Sequence, residues 1–313
     1  FALKLSPSEL SGDGTAVNAW NYLFDNQTVG GTINLRSAYF DLNPFMEEPT
    51  ATATAARGAA APPPAAEVIP VPENMDMLLN AKFNKVQYTN ITLQNLDGQI
   101  VVKDRAATLK DCVADVLGGK VAVSGQYNTQ NLSKPLFNVD LAMQDMGFRE
   151  AFQGFVTAKT LAPIMQFMDG KFNTTLSMNG ILGKDMTPDF STLSAAGFLE
   201  TISAILSDFN VTKQIGDRLN VDFLKKMDLG KTKNWIEIKN GFVEVKPFDV
   251  KVRDLQFKIA GKHGLTSDMD YQILTKVPRK TLEKSGVGSA ANAGMNWVSK
   301  EAAKAGVSVA QGE

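Results

Sequence analysis

Between residues 235 and 264 the apolar positions fall in four pairs: Ile236/Ile238, Val243/Val245, Val250/Val252 and Phe257/Ile259. Members of a pair are two apart, so both side chains stand on one face of a strand. From pair to pair the step is seven residues, room for a short strand and a tight turn. Asn240-Gly241 is a turn signal, because both residues tolerate positive φ. Charged residues separate the apolar ones: Glu237, Lys239, Glu244, Lys246, Lys251, Lys258 and Lys262. The pattern predicts an antiparallel meander with one apolar and one wetted face.

The same pattern occurs 136 positions earlier, over 100–128, without a gap. Its pairs are Ile100/Val102, Ala107/Leu109, Ala114/Val116 and Val121/Val123. Ile100, Lys103, Lys110, Val116 and Gly125 are identical to Ile236, Lys239, Lys246, Val252 and Gly261. Another alternating run follows each copy: Phe137, Val139, Leu141 and Met143 after the first, Met269, Tyr271 and Ile273 after the second. A repeat of amphipathic meanders predicts a sheet that grows by adding like units.

Elsewhere, Leu3 and Leu5 open a strand, followed by a polar Ser/Gly/Asp stretch, and 16–24 suits a short aromatic helix. Residues 30–43 read as a turn into a strand that stops near Pro44. From 47 to 73 Ala, Thr and Pro dominate, which predicts a disordered linker or insertion between an N-terminal part (1–46) and a β-rich region (74–313). Met75, Met77, Leu79, Ala81 and Phe83 then restore a period of two, and Gly118-Gly119 marks a hairpin. Between the meanders (about 95–143 and 235–278) lies a helical segment: one or two helices over 148–168 broken near Pro163, a strand from Phe172 to Met178, and helices over 198–209 and 215–227. A short helix is expected over 292–302. The abrupt strand-like ends suggest a piece of a longer protein.

Lys+Arg 32 against Asp+Glu 33 leaves a net charge of −1, so no basic field argues for nucleic acid. Cys112 is the single cysteine and rules out an intrachain disulfide; a small buried side chain is the expectation for it. His263 is the single histidine, at the turn ending the second meander, where the first copy has Tyr127. The chain lacks a nucleophile elbow, a metal-ligand spacing and a phosphate loop. These absences predict a non-enzymatic protein without cofactor, catalytic residues or metal site.

Several stretches, taken in order, resemble the AsmA-like region of bacterial envelope proteins. They are Asn95-Leu-Asp-Gly-Gln-Ile-Val-Val-Lys-Asp, Val116-Leu-Gly-Gly-Lys-Val-Ala-Val-Ser-Gly-Gln-Tyr, Thr160-Leu-Ala-Pro-Ile before Asp169-Gly-Lys-Phe, Asn240-Gly-Phe-Val-Glu-Val-Lys-Pro-Phe-Asp, and Gly261-Lys-His-Gly. The resemblance spans about 30–278, and the Ala/Pro tract looks like an insertion in it. It implies a periplasmic protein anchored in the inner membrane through a segment absent from this chain. It also implies a role in outer-membrane assembly or maintenance, and kinship with β-groove proteins that pass lipids between membranes.

The expected fold is therefore β-rich α+β: an elongated, twisted antiparallel sheet of repeated meanders, with a few helices covering or capping its apolar face. The expected function is lipid handling or bridging, with phospholipid or another envelope lipid as partner. The lipid-facing candidates are Val102, Leu109, Val116 and Val123 in the first meander and Ile238, Val245, Val252 and Ile259 in the second. The alternative is an envelope scaffold whose apolar core is closed; periodicity does not separate the two.

Overall fold

Alternation of apolar and polar positions, punctuated by short turns, makes most of the described chain into strands. The structure is a computed structural model that describes residues 2–5, 7–45, 68–183, 186–219, 222–253, 255–264, 269–276 and 307–308. Most of the Ala/Pro tract and the helix expected over 292–302 lie outside the described residues. The chain opens with β1 (Ala2–Leu5), β2 (Ser8–Val17), helix α1 (Ala19–Asp25), β3 (Val29–Ser37) and β4 (Phe40–Asp41). Four long strands follow: β5 (Met75–Tyr88), β6 (Ile91–Lys103), β7 (Ala106–Val116) and β8 (Gly119–Asn128). Strand β9 (Leu136–Gly147) leads into helices α2 (Phe148–Gly154) and α3 (Val156–Leu161) and a 3-10 turn, Pro163–Phe167. Then come β10 (Met168–Ile181), β11 (Ser194–Ser207), α4 (Asn210–Leu219) and β12 (Lys226–Asp228). The second meander supplies β13 (Lys233–Lys239), β14 (Phe242–Val252), β15 (Leu255–Gly264) and β16 (Met269–Lys276), with β17 (Val307–Ser308) beside β16. Pairing is mostly antiparallel, with β3–β5, β4–β5 and β16–β17 parallel. This is the β-rich α+β fold, a mixed and mostly antiparallel sheet with a few short helices. Two compact units are formed, one from 1–116, 120–141 and 178–193, the other from 117–119, 142–177 and 194–313.

The repeat is structural as well as textual. Strands β7 and β8 map onto β14 and β15 residue for residue at the 136-residue offset, and the ends of β6 and β13 coincide. Two-residue turns match too: Asp104 and Arg105 have φ 51° and 60°, Asn240 and Gly241 have 53° and 75°. Leu117 (φ 50°) likewise answers to Arg253 (φ 56°). Positive φ at the turn gives a hairpin whose twist suits its strands.

Each copy has three strands rather than the four that the seven-residue step suggested. Pairs Val243/Val245 and Val250/Val252 share β14, and Ala107/Leu109 and Ala114/Val116 share β7. Seven is odd, so a regular strand would turn the second pair to the opposite face. A bulge corrects the phase. On β14 the register passes from Val245↔Gly261 to Phe248↔Ile259, three residues against two. On β7 it passes from Val113↔Asp97 to Lys110↔Gln99, again three against two, with Asp111 at φ 50°. Asp111, whose N–H leaves the ladder and donates to Ser124 Oγ at 3.2 Å, answers to Pro247, which has no N–H for the ladder to use.

Three further expectations are corrected. Residues 198–209 form most of β11, not a helix. Its buried positions run Ala195, Gly197, Thr201, then Ala204 and Leu206. The skip from 201 to 204 breaks the alternation and mimics helical spacing, while Thr201, Ile202 and Ile205 are β-branched and favour a strand. The segment after it begins as helix earlier than expected, at Asn210, and by Lys226 has become β12. The polar stretch after β1 is itself strand β2, whose residues pair with β1 and β3.

The wetted face of the first unit carries a side-chain ladder across four strands. Asn34 donates to Asp13 at 2.9 Å, Asn80 to Asn34 at 2.9 Å, and Gln99 to Asn80 at 3.0 Å. Lys103–Asp76 at 2.6 Å and Lys82–Asp97 at 3.2 Å flank it, both exposed and screened by water. Their chief effect is to make one-residue slippage costly, since a slip would turn this row inward.

Deleting Asp111 tests the bulge. The deletion puts Leu109 and Val116 on opposite faces and should lower the urea-unfolding free energy by several kcal/mol, whereas Asp111→Asn should change it by less than about 0.5 kcal/mol. Equal stabilities for the deletion and the parent would contradict the phase argument.

Candidate functional site

The face opposite the ladder is apolar, and register fixes its rows. One row joins Ile33, Leu79, Ile100 and Leu109 on β3, β5, β6 and β7. The next joins Gly31, Met77, Val102 and Ala107. On the other side of the first lie Leu35, Ala81 and Gly98. Ile33, Leu35, Leu79, Ile100, Val102 and Leu109 are only half-buried. Helix α1 provides no cover, because none of its residues is buried and Trp20, Leu23 and Phe24 face solvent. Met77, Ala81 and Gly98 in the flanking rows are buried, so among the described residues this unit presents an apolar sheet face that is open in part, along the Ile33–Leu79–Ile100–Leu109 row.

The second repeat presents the equivalent face, deeper at Ile238 and Val243, which are buried where Val102 and Ala107 are half-buried. Ala114/Val250 and Val116/Val252 are buried in both copies, and Ile100/Ile236 and Leu109/Val245 are half-buried in both. Ile238, Val243, Val250 and Val252 are 3%, 4%, 2% and 4% exposed. The helical segment after β9 lies over this face. Gly197, in register with Ile236, backs onto Leu176 of β10, so alternation places Phe172 on that face as well. The Phe148 ring of α2 packs on Phe172 with centroids 4.8 Å apart. The last carbonyl of α3, on Leu161, meets His263 Nε2 of β15 at 2.9 Å. Helices thus cap the apolar face from β10 to β15.

Of the four matched pairs of sequence-derived candidates, Leu109/Val245 and Val123/Ile259 are half-buried in both copies, Val116/Val252 buried in both, and only Val102 and Ile238 differ. Val102 sits between Met77 and Ala107, and Leu109 faces Ile100; both are half-buried, as is Val123 on β8. Val116, at the end of β7 opposite Leu93, is buried. In the second copy Ile238, between Ala195 and Val243, and Val252, opposite Leu255, are buried. Val245, between Ile236 and Gly261, and Ile259, between Phe248 and Ile273, are half-buried. Ile33, Leu35 and Leu79 join the open face without having been among the candidates. Their alternation was legible, but their register with β6 was not.

The electrostatics give this face no reactive group. Burial pushes the Cys112 thiol up, away from the thiolate form a nucleophile needs. The bond from Asn95, then that from Lys120, holds the exposed Asp115 carboxyl below the usual range. Burial pushes Tyr271 up to about 12 and His263 down, the Leu161 carbonyl opposing the latter. A cleft of about 420 Å³ in the first unit is lined by residues such as Gln126, Phe137, Asn179 and Thr192, and contains no titratable side chain. Among the described residues no group of three or more His, Cys, Asp or Glu could hold a metal ion. No described helix is long and apolar enough to cross a membrane. Compared with known proteins, the chain is matched by no family model, no curated protein and no solved structure.

Open and capped faces should respond differently to a buried charge. Val250→Asp places a carboxylate at a position 2% exposed and should cost several kcal/mol. At Leu79 water reaches the new carboxylate, and Leu79→Asp should cost about 1 kcal/mol. Urea midpoints measure both; equal losses would contradict the distinction.

Proposed function

We propose that this chain is a non-enzymatic lipid-handling module of the bacterial cell envelope, which holds acyl chains along the open apolar face of its first repeat. The observation that carries the reading is the set of half-buried aliphatic side chains on β3, β5, β6 and β7 with no helix over them among the described residues. A continuous apolar row left half in water is unfavourable and suits a surface that is covered in use. Three inter-strand steps of about 4.8 Å make the Ile33–Leu79–Ile100–Leu109 row about 14 Å long, a lane for a stretch of acyl chain. No charged side chain interrupts that row. The AsmA-like resemblance supports the same reading, and with it a periplasmic location, an inner-membrane anchor outside this chain and a part in outer-membrane maintenance.

A second reading, an envelope scaffold with a closed core, is favoured by the helices over the second repeat. The two readings concern different units and make opposite predictions for the first. Purified chain incubated with phosphatidylethanolamine and phosphatidylglycerol vesicles, then separated from them, should retain phospholipid detectable by native mass spectrometry. Leu79→Asp should abolish most of that retention while the chain stays folded. No retained lipid in the parent chain would favour the scaffold.

A further inference from the structure

The repeat offset aligns Tyr127 with His263, and both side chains bind a carbonyl outside their sheet. Tyr127 donates to the Ile69 carbonyl at 3.0 Å. His263, 7% exposed, is bonded on both sides: Nε2 to the Leu161 carbonyl at 2.9 Å and Nδ1 to the Tyr271 hydroxyl at 2.9 Å. A carbonyl only accepts, so Nε2 carries the hydrogen. In the neutral ring Nδ1 then accepts from the Tyr271 hydroxyl. The two partners together fix one tautomer and tie α3 to β15 across 102 residues of chain. The same position thus pins a neighbouring segment in each copy, through a phenol in one and an imidazole in the other.

We propose that His263 is a pH-sensitive latch on the helical cap of the second repeat. Neutral imidazole holds α3 on the sheet. Imidazolium keeps its Nε2–H bond to Leu161, but it is a cation at a position 7% exposed, with no carboxylate on its face among the described residues. It therefore favours the state in which α3 lifts, water reaches the ring and the apolar face beneath is uncovered. Protonation places a hydrogen on Nδ1, so the Tyr271 hydroxyl must accept instead of donate and turn its own hydrogen away. It also leaves a cation beside Val243, the buried residue opposite His263 on β14. The charged neighbours do not compensate. Glu244 on β14, Lys262 on β15 and Asp270 on β16 are in register with one another and alternate to the other face. Lys159 on α3 is exposed and of the same sign as the imidazolium.

Burial holds His263 below its ordinary value of 6.5. The capped state therefore keeps its full stability above about pH 6.5 and loses it as pH falls through that value toward the lower one. Tyr127 does not titrate in this range, so the first copy's tie has no such dependence. That uncapping exposes a lipid-binding surface rests on the function proposed above; the latch itself does not.

Hydrogen exchange of residues 148–161, corrected for intrinsic rates, tests the latch between pH 7.5 and 5.5, alongside NMR of the chain's single histidine. In the parent chain protection should fall by up to about tenfold over the pH unit below 6.5. His263→Gln keeps a donor for Leu161 and an acceptor for Tyr271 but does not titrate, so its protection should stay flat. The same fall in His263→Gln would overturn the proposal. So would a histidine that titrates in the parent chain without any change in protection of the cap. Neither readout involves lipid, so a failure here is distinct from a failure to retain phospholipid.

Discussion

One extra residue in the middle strand of each repeat keeps the rest of the sheet in phase. Without Asp111 in β7 and its counterpart Pro247 in β14, the seven-residue spacing of the apolar pairs would send half of them to the wetted side. With the bulge, each middle strand contributes two apolar pairs to one face and stays long enough to pair with both neighbours. The charges between the pairs then fall on the opposite face, where the Asp13–Asn34–Asn80–Gln99 ladder lies in the first unit. An amphipathic sheet follows, and the physical question becomes what covers its apolar side.

The two copies answer that question differently. In the second, α2 and α3 lie on the face, Val250 is 2% exposed, and the arrangement is a core. In the first, Ile33, Leu79, Ile100, Leu109 and Val102 stay half-buried and no described helix covers them, although Met77, Ala81, Ala114 and Val116 beside them are buried. Fully burying a Leu or Ile side chain is worth about 1.5–3 kcal/mol, so an uncovered row forgoes a sizeable stabilisation. Such a row is stable only because the strands beneath it are held by their own ladders and by the second side of the sheet. An acyl chain laid on it would recover that burial, which is the energetic basis of the proposed function.

Much of this was legible in the amino-acid pattern. The pairs, the 136-residue repeat and the Asn240-Gly241 turn all depend on residues close in sequence, and local physics determines them. The bulges were not legible, because strand–turn–strand and bulged strand both fit a step of seven. Strand β11 was misread for a related reason: the skip between Thr201 and Ala204 gave its apolar residues a helical spacing. Burial at the candidate positions depends on which segment lies against each face, so Val102 and Ile238 look alike in sequence and differ in the fold. His263 was visible as a lone histidine, but its hold on Leu161 links residues 102 apart and needed the tertiary structure.

Photo-crosslinking with a phospholipid that carries a diazirine midway along one acyl chain tests the open face most directly. After illumination, mass spectrometry locates the adducts on the chain. The account predicts adducts at Ile33, Leu79, Ile100 and Leu109, with Val250 and Ile238 unlabelled at neutral pH. Adducts at Val250 and Ile238 without any on the first repeat, or no adducts at all, would contradict it.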